Sequence, residues 1–230
     1  MAPNAGIRER VDELRSRIDA ATARAGRAPE SVTLVAVSKT KPLEDLLAAY
    51  EAGVRHFGEN RVQEAEAKYP SLPDDAVRHL IGPLQSNKVN RAVRLASVIE
   101  TVDSAPLAAK LDAAAAREGK RLTVFLEVNT GGEATKAGVS EDGLADLVAA
   151  VRALASLDLR GLMTIPPPGA TRPHFARLRE LAARHALPGL SMGMSDDFED
   201  AILEGATEVR IGGALFGARG RSLDGATLPS

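Results

Sequence analysis

The stretch Val32-Thr33-Leu34-Val35-Ala36-Val37-Ser38-Lys39-Thr40-Lys41-Pro42 decides how the rest of the chain is read. Val32 to Val37 form an apolar, β-branched run without a charge, the pattern of a strand buried on both faces of a parallel sheet. Lys39 stands where that strand must end. Pro42, with φ preset for a first helical turn, leads into Leu43-Glu44-Asp45-Leu46-Leu47-Ala48-Ala49, whose acids lie early, at the positive end of the helix dipole. Strand, lysine and helix in that order make a βα unit, and α/β folds collect their chemistry at the carboxyl ends of such strands. A partly desolvated amine there offers its lone pair to a carbonyl. An exposed loop lysine is the plain alternative, and it suits Lys41 better than Lys39.

The same unit recurs along the chain. Upstream, Ile7, Val11, Leu14, Ile18 and Ala21 recur at helical spacing and predict an outer helix closed at Gly26. Downstream, strands are expected at Val54–Asn60, Val77–Pro83, Ser97–Val102, Arg121–Asn129, Leu157–Ile165, Gly189–Met192 and Glu208–Gly212. Helices are expected between them, one of them capped by Asp103 or Ser104 and running to about Glu118. Strands alternating with helices at roughly 25-residue intervals predict an α/β fold, a single (β/α)8 TIM-type barrel with an extra N-terminal helix. It spans residues 1–230 as one domain, with a loose tail from about residue 220. A doubly wound sheet is the runner-up, but it carries fewer strands at this length, and no Gly-x-Gly-x-x-Gly follows the first strand.

Composition narrows the chemistry. The 230 residues carry a formal net charge of -2 and no long basic block, which proposes neither a nucleic-acid nor a membrane surface. With no cysteine, disulfides, thiolate nucleophiles and cysteine-held metals are excluded. Met1 to Arg10 lacks the apolar core of a signal peptide and no stretch is long enough to span a bilayer, so a cytoplasmic protein is expected.

If the strands are parallel, their carboxyl ends share one rim: Lys39, Glu59, Asn60, His79, Gly82, Gln85, Asp103, Asn129, Met163, Ser195 and Arg210. Each has a plainer reading. Asn60 and Asp103 suit helix caps, His79 a satisfied core histidine, and Met163 packing. Gly193-Met194-Ser195-Asp196-Asp197 puts a hydroxyl and backbone amides at a helix start, a natural anion site provided its aspartates face outward. Arg210-Ile211-Gly212-Gly213 brings paired glycines after the last strand, where barrels often hold phosphate. A carbonyl-binding lysine opposite a phosphate cradle suits pyridoxal phosphate or a phosphorylated sugar.

At this point the chain resembles the pyridoxal phosphate homeostasis proteins, whose fold is close to the N-terminal domain of alanine racemase. The resemblance rests on Ala36 to Pro42, Phe57-Gly58-Glu59-Asn60, His79 to Lys88, Gly161 to Pro166, Gly193 to Asp197 and Val209 to Gly212, in the family's order. It implies pyridoxal 5'-phosphate as cofactor, held as a Schiff base on Lys39. Ser195, Gly212 and Gly213 would hold its phosphate, Arg210 would face the pyridine nitrogen, Asn60 and His79 would line the ring, and Met163 is carried with them as a cofactor contact. No metal is implied. The chain departs from the family at Gly213, usually a threonine, and in a loop, Pro166 to Pro173, that looks shorter than usual.

A guanidinium at the ring nitrogen disfavours a pyridinium and weakens the ring as an electron sink. The resemblance therefore implies a monomeric carrier that buffers the cofactor and delivers it to pyridoxal-phosphate-dependent apo-enzymes, with little or no turnover. A racemase of the same cofactor class is the alternative. It needs a second base, and Tyr50 and Tyr69 are expected away from the rim. A cofactor-free Schiff-base aldolase is a third reading. Lys136, in the loop after the fifth strand, is either a second amine that relays the cofactor or a solvated loop lysine.

Overall fold

The computed structural model describes residues 5–133 and 136–217. The apolar runs become eight parallel strands: β1 (Thr33–Val37), β2 (His56–Glu59), β3 (Val77–Leu80), β4 (Val98–Val102), β5 (Leu122–Glu127), β6 (Leu157–Met163), β7 (Gly189–Ser191) and β8 (Glu208–Ile211). They pair in chain order and close into a barrel where β8 meets β1, with Val35 level with Arg210 and Ala36 with Ile211. The expected (β/α)8 architecture is the one found.

Helices cover the outside: α1 (Ala5–Arg24), α2 (Leu43–Glu51), α3 (Val62–Lys68), α4 (Val89–Leu95), α5 (Ala105–Arg117), α6 (Glu141–Arg152), α7 (Arg172–Arg184), α8 (Phe198–Leu203) and α9 (Gly213–Phe216). Because successive side chains leave a strand on opposite faces, each strand serves two packings. Ala36, Phe57, Leu80, Ile99, Leu126, Leu162, Leu190 and Val209 join the large apolar core beneath the helices. Val98, Phe125 and Met163 form a separate buried cluster inside the barrel. No helix among the described residues is long and apolar enough to cross a membrane.

The extra helix has a reason. The segment after β8 makes only the four-residue α9, too short to cover the seam where β8 meets β1. Helix α1 lies across α2, α8 and α9 instead, burying Val11, Leu14 and Ile18, while Arg10 Nε donates to the Leu215 carbonyl at 2.6 Å. The sequence pattern suggested a glycine loop after β8, and the single helical turn there was not foreseen. Ser104 does take the N-cap position of α5, but its hydroxyl donates to Asp103 Oδ1 at 3.0 Å and caps no helix amide. The expected loose tail lies outside the described residues.

Between β6 and β7 the backbones approach so closely that a Cβ built on Gly161 falls 2.0 Å from the Gly189 carbonyl oxygen. Neither backbone can give way without opening the barrel wall. Gly161→Ala is therefore expected to lower unfolding free energy by about 3 kcal/mol or more, read from the urea midpoint; a loss below about 1 kcal/mol would contradict this account of the wall.

Candidate functional site

The corner that presents Lys39 is held from three sides. Ser38 N donates to the Gly58 carbonyl at 3.0 Å, extending the pairing of β1 with β2 by one residue. The Ser38 hydroxyl donates to Glu59 Oε1 at 2.7 Å, and Lys68 Nζ reaches that same oxygen at 2.8 Å and the Ser38 carbonyl at 2.9 Å. Burial raises the Glu59 carboxyl, while the bonds from Lys68 and Ser38 oppose that rise. One residue beyond Lys39, Thr40 adopts φ 63°, a left-handed conformation that costs a non-glycine residue about 1 kcal/mol or more. Its amide is captured by Glu64 Oε2 at 2.8 Å. Lys41 then ties this corner to α9, donating to the carbonyls of Phe216 and Gly217 at 3.3 and 3.2 Å.

This corner opens on a cavity of about 250 Å³ at the carboxyl end of the barrel, lined by Lys39, Asn60, Ser195, Arg210, Gly212 and Gly213. Val37, Ile81, Ile165 and Met194 complete its walls together with Asp196. The side-chain oxygen of Asn60 is buried without a hydrogen-bond partner, an acceptor left for a bound group. Ser195 Oγ accepts from the amide of Ala214 at 3.3 Å, drawing the loop after β7 onto the first turn of α9. Outside the cavity a larger groove of about 700 Å³ shares Ile165, Met194 and Asp196 and is bounded by Pro166, Pro167, Pro168 and Lys136.

Arg210 forms the floor. It is buried, and its guanidinium donates to Ser191 Oγ at 2.6 Å and to the Thr164 carbonyl at 2.8 Å. Beneath it the barrel interior is polar: Ser191 donates to Glu100 Oε2 at 2.6 Å, His79 Nδ1 lies 2.7 Å from Glu100 Oε1, and His56 Nδ1 lies 2.9 Å from His79 Nε2. Two further acids face the interior with an unpartnered buried oxygen each. Burial, then the charge of Asp103, raises Glu127 to about 7; burial, then the charge of Glu100, raises Glu208 to about 7.

Comparison with known proteins shows the family and agrees with the barrel fold. The family model "Alanine racemase, N-terminal domain" matches residues 10–220. The pyridoxal phosphate homeostasis protein of Pseudomonas aeruginosa is 47% identical over 220 residues, covering 93% of this chain and 96% of that protein. The chain belongs to the pyridoxal phosphate homeostasis protein family. Its relative from Aquifex aeolicus is 44% identical over 222 residues, covering 92% and 97%. The structure of PipY from Synechococcus elongatus with PLP bound is 41% identical, with a TM-score of 0.81 over 92% of this chain and all 100% of that one. Alanine racemase from Clostridium difficile shares the fold at 14% identity and a TM-score of 0.74, this chain spanning 57% of it.

In this member of the pyridoxal phosphate homeostasis protein family, six of the residues singled out from sequence line one cavity: Lys39, Asn60, Ser195, Arg210, Gly212 and Gly213. His79 and Met163 do not line it. Each faces the barrel interior one layer deeper, His79 in the polar chain and Met163 against Phe125 and Val98. The residues two further along, Ile81 and Ile165, are the ones that reach the cavity, as the two-residue period of a strand requires. Asp197 faces its own loop, accepting from the Met194 amide at 2.6 Å, but Asp196 is exposed on the cavity edge, where an outward acid was expected. Lys136 pairs with Glu133 and borders the outer groove rather than the cavity. Tyr69 is buried, its hydroxyl 2.6 Å from the His79 carbonyl, and Tyr50 bonds Asp75; neither lines the cavity. Glu100, Ser191 and Glu127 were missed. Their signal was an acid or serine inside an otherwise apolar strand, which must find a partner or a raised proton affinity.

Glu127 gives a pH test. Its folded-state carboxyl stays protonated at pH values where the unfolded chain has released that proton, so its favourable contribution is complete below about 4.5 and is lost as pH rises through about 7. Glu127→Gln should match the unaltered protein in urea unfolding near pH 4.5 and exceed it by about 1–3 kcal/mol at pH 8. A difference that does not grow with pH would contradict this.

Proposed function

We propose that the chain binds pyridoxal 5'-phosphate as a Schiff base on Lys39 and acts as a carrier that buffers the cofactor and delivers it to apo-enzymes. One observation carries the reading: an amine, a hydroxyl beside a Gly-Gly turn, and a guanidinium converge on a single cavity. The names of the relatives and the PLP-bound PipY structure support the same cofactor. When bound, the cofactor supplies an aldehyde that condenses with an amine, the oxygen leaving as water, and an electron-withdrawing ring. Lys39 Nζ would supply that amine, presented by the corner that Ser38, Glu59 and Lys68 build. Ser195 and the backbone of Gly212 and Gly213 receive the phosphate. Arg210 would face the ring nitrogen, and Asn60, whose side-chain oxygen is buried without a partner, would offer an acceptor to the bound group.

A positive group at the ring nitrogen disfavours protonation there and so weakens the electron sink on which amino-acid chemistry depends. That fits storage better than turnover. The cytoplasmic location and monomeric state expected from sequence belong to this proposal.

The purified protein mixed with pyridoxal phosphate should turn yellow, and borohydride should fix the cofactor to Lys39, identified by mass mapping. Lys39→Ala should lose the fixed adduct. A protein that stays colourless would favour the aldolase reading, and D-alanine formed from L-alanine by the loaded protein would favour the racemase.

Gly213 yields a second expectation. A Cβ there meets only Ser195 Oγ, at 3.8 Å, so the backbone at this position has room for one beside that hydroxyl. Gly213→Thr restores the hydroxyl usual in the family and should tighten cofactor binding by about 1 kcal/mol, roughly fivefold, in an equilibrium titration. Weaker binding would contradict the placement of the phosphate.

A further inference from the structure

We propose that Glu100, acting through Ser191, is the positioning residue that aims the Arg210 guanidinium at the cavity and balances its charge. The inference rests on the cofactor reading above and concerns how the ring-nitrogen partner is controlled from inside the barrel.

The contacts converge on one carboxylate. Glu100 Oε2 is 3.8 Å from the Arg210 guanidinium, too far for a direct hydrogen bond. Ser191 bridges the gap, accepting from Arg210 and donating to Glu100, both at 2.6 Å. The Thr164 carbonyl takes a second guanidinium donor at 2.8 Å. The remaining donors have no partner among the described residues, and Arg210 lines the cavity, so those donors are available to a ligand. On its other side Glu100 accepts from His79 Nδ1 at 2.7 Å. Behind it, His56 Nδ1 lies 2.9 Å from His79 Nε2, extending the polar chain.

The charges assign Glu100 as the counter-ion. Glu100 and Arg210 are both almost wholly buried, and a buried guanidinium needs an anion within reach. Burial by itself would raise the Glu100 carboxyl, but the His79 bond and charge and the charge of Arg210 outweigh it and hold the group below its usual range. Other titratable groups around this cluster include His56 from β2, Glu208 from β8 and Glu127 from β5, with Tyr69 and Arg160 acting on Glu100 and Glu208 respectively from outside it. His56 is lowered to about 4 by burial and then by His79, and both acids are raised to about 7. Glu100 alone among these acids combines an ion pair to Arg210 with a hydrogen-bonded bridge to it. Without it the cavity floor carries an uncompensated positive charge whose orientation depends on the Thr164 carbonyl.

The test compares the unaltered protein, Glu100→Gln and Ser191→Ala, each loaded with pyridoxal phosphate. Three quantities are read: the pH midpoint of the visible absorption band, the dissociation constant, and the thermal midpoint of the unloaded protein. Extra positive potential at the floor disfavours a protonated Schiff base, so the absorption midpoint should fall by about half a pH unit or more in Glu100→Gln. Ser191→Ala should move it the same way by less, and binding should weaken about tenfold in Glu100→Gln. A lower thermal midpoint with the absorption midpoint and affinity unchanged means that Glu100 is only structural, and overturns the proposal. If Glu100→Gln does not fold, Ser191→Ala decides, and an unmoved absorption midpoint there overturns it. An unaltered protein without a visible band or a borohydride-fixed adduct overturns the cofactor reading and this inference together, whereas a normal band with unmoved variants overturns this inference alone.

Discussion

A guanidinium held inside a protein must be answered by an anion and by hydrogen-bond acceptors close at hand. Arg210 imposes that constraint on the barrel, and much of the interior follows from it. β4 contributes Glu100, β7 the bridging hydroxyl of Ser191, and the end of β6 the carbonyl of Thr164. β3 and β2 add His79 and His56 behind the carboxylate. A barrel interior is usually packed with branched aliphatic side chains. Here part of that volume is given over to a hydrogen-bonded chain that leads up to the cavity floor.

The wall carries a second polar assembly, separate from the first. Ser38, Glu59 and Lys68 meet between the β1–β2 edge and α3, and their bonds fall on the residue just before Lys39. Breaking a buried pair of this kind typically costs about 3–5 kcal/mol, because one charge is left without its partner. The left-handed Thr40 follows directly, its amide satisfied by Glu64. Backbone strain of this sort persists only where the surroundings over-determine it. Lys39 is thus presented by a corner that has little freedom to relax.

Much of this was legible in the chain because it is written in strand ends. Lys39, Asn60, Arg210 and the Gly212-Gly213 pair each follow or close an apolar run, and a parallel barrel puts such positions on one rim. Depth within the barrel was harder to read. His79 and Met163 lie on the inward face but one layer below the opening, and only the register of the closed barrel distinguishes them from Ile81 and Ile165. Glu100 and Ser191 were harder still. They are 91 residues apart, and no local pattern says which buried acid will meet which buried hydroxyl. The helical turn of α9 was hidden by its own glycines, which read as loop.

Lys41, two residues beyond Lys39, holds the carbonyls of Phe216 and Gly217 at the far end of the turn that begins with Gly213. The Lys39 corner and the Gly-Gly turn, which line the same cavity, are therefore parts of one braced frame. Their spacing is set when the chain folds, before any ligand arrives. A group built into such a frame needs little further ordering when a ligand reaches it, so less conformational entropy is lost on binding.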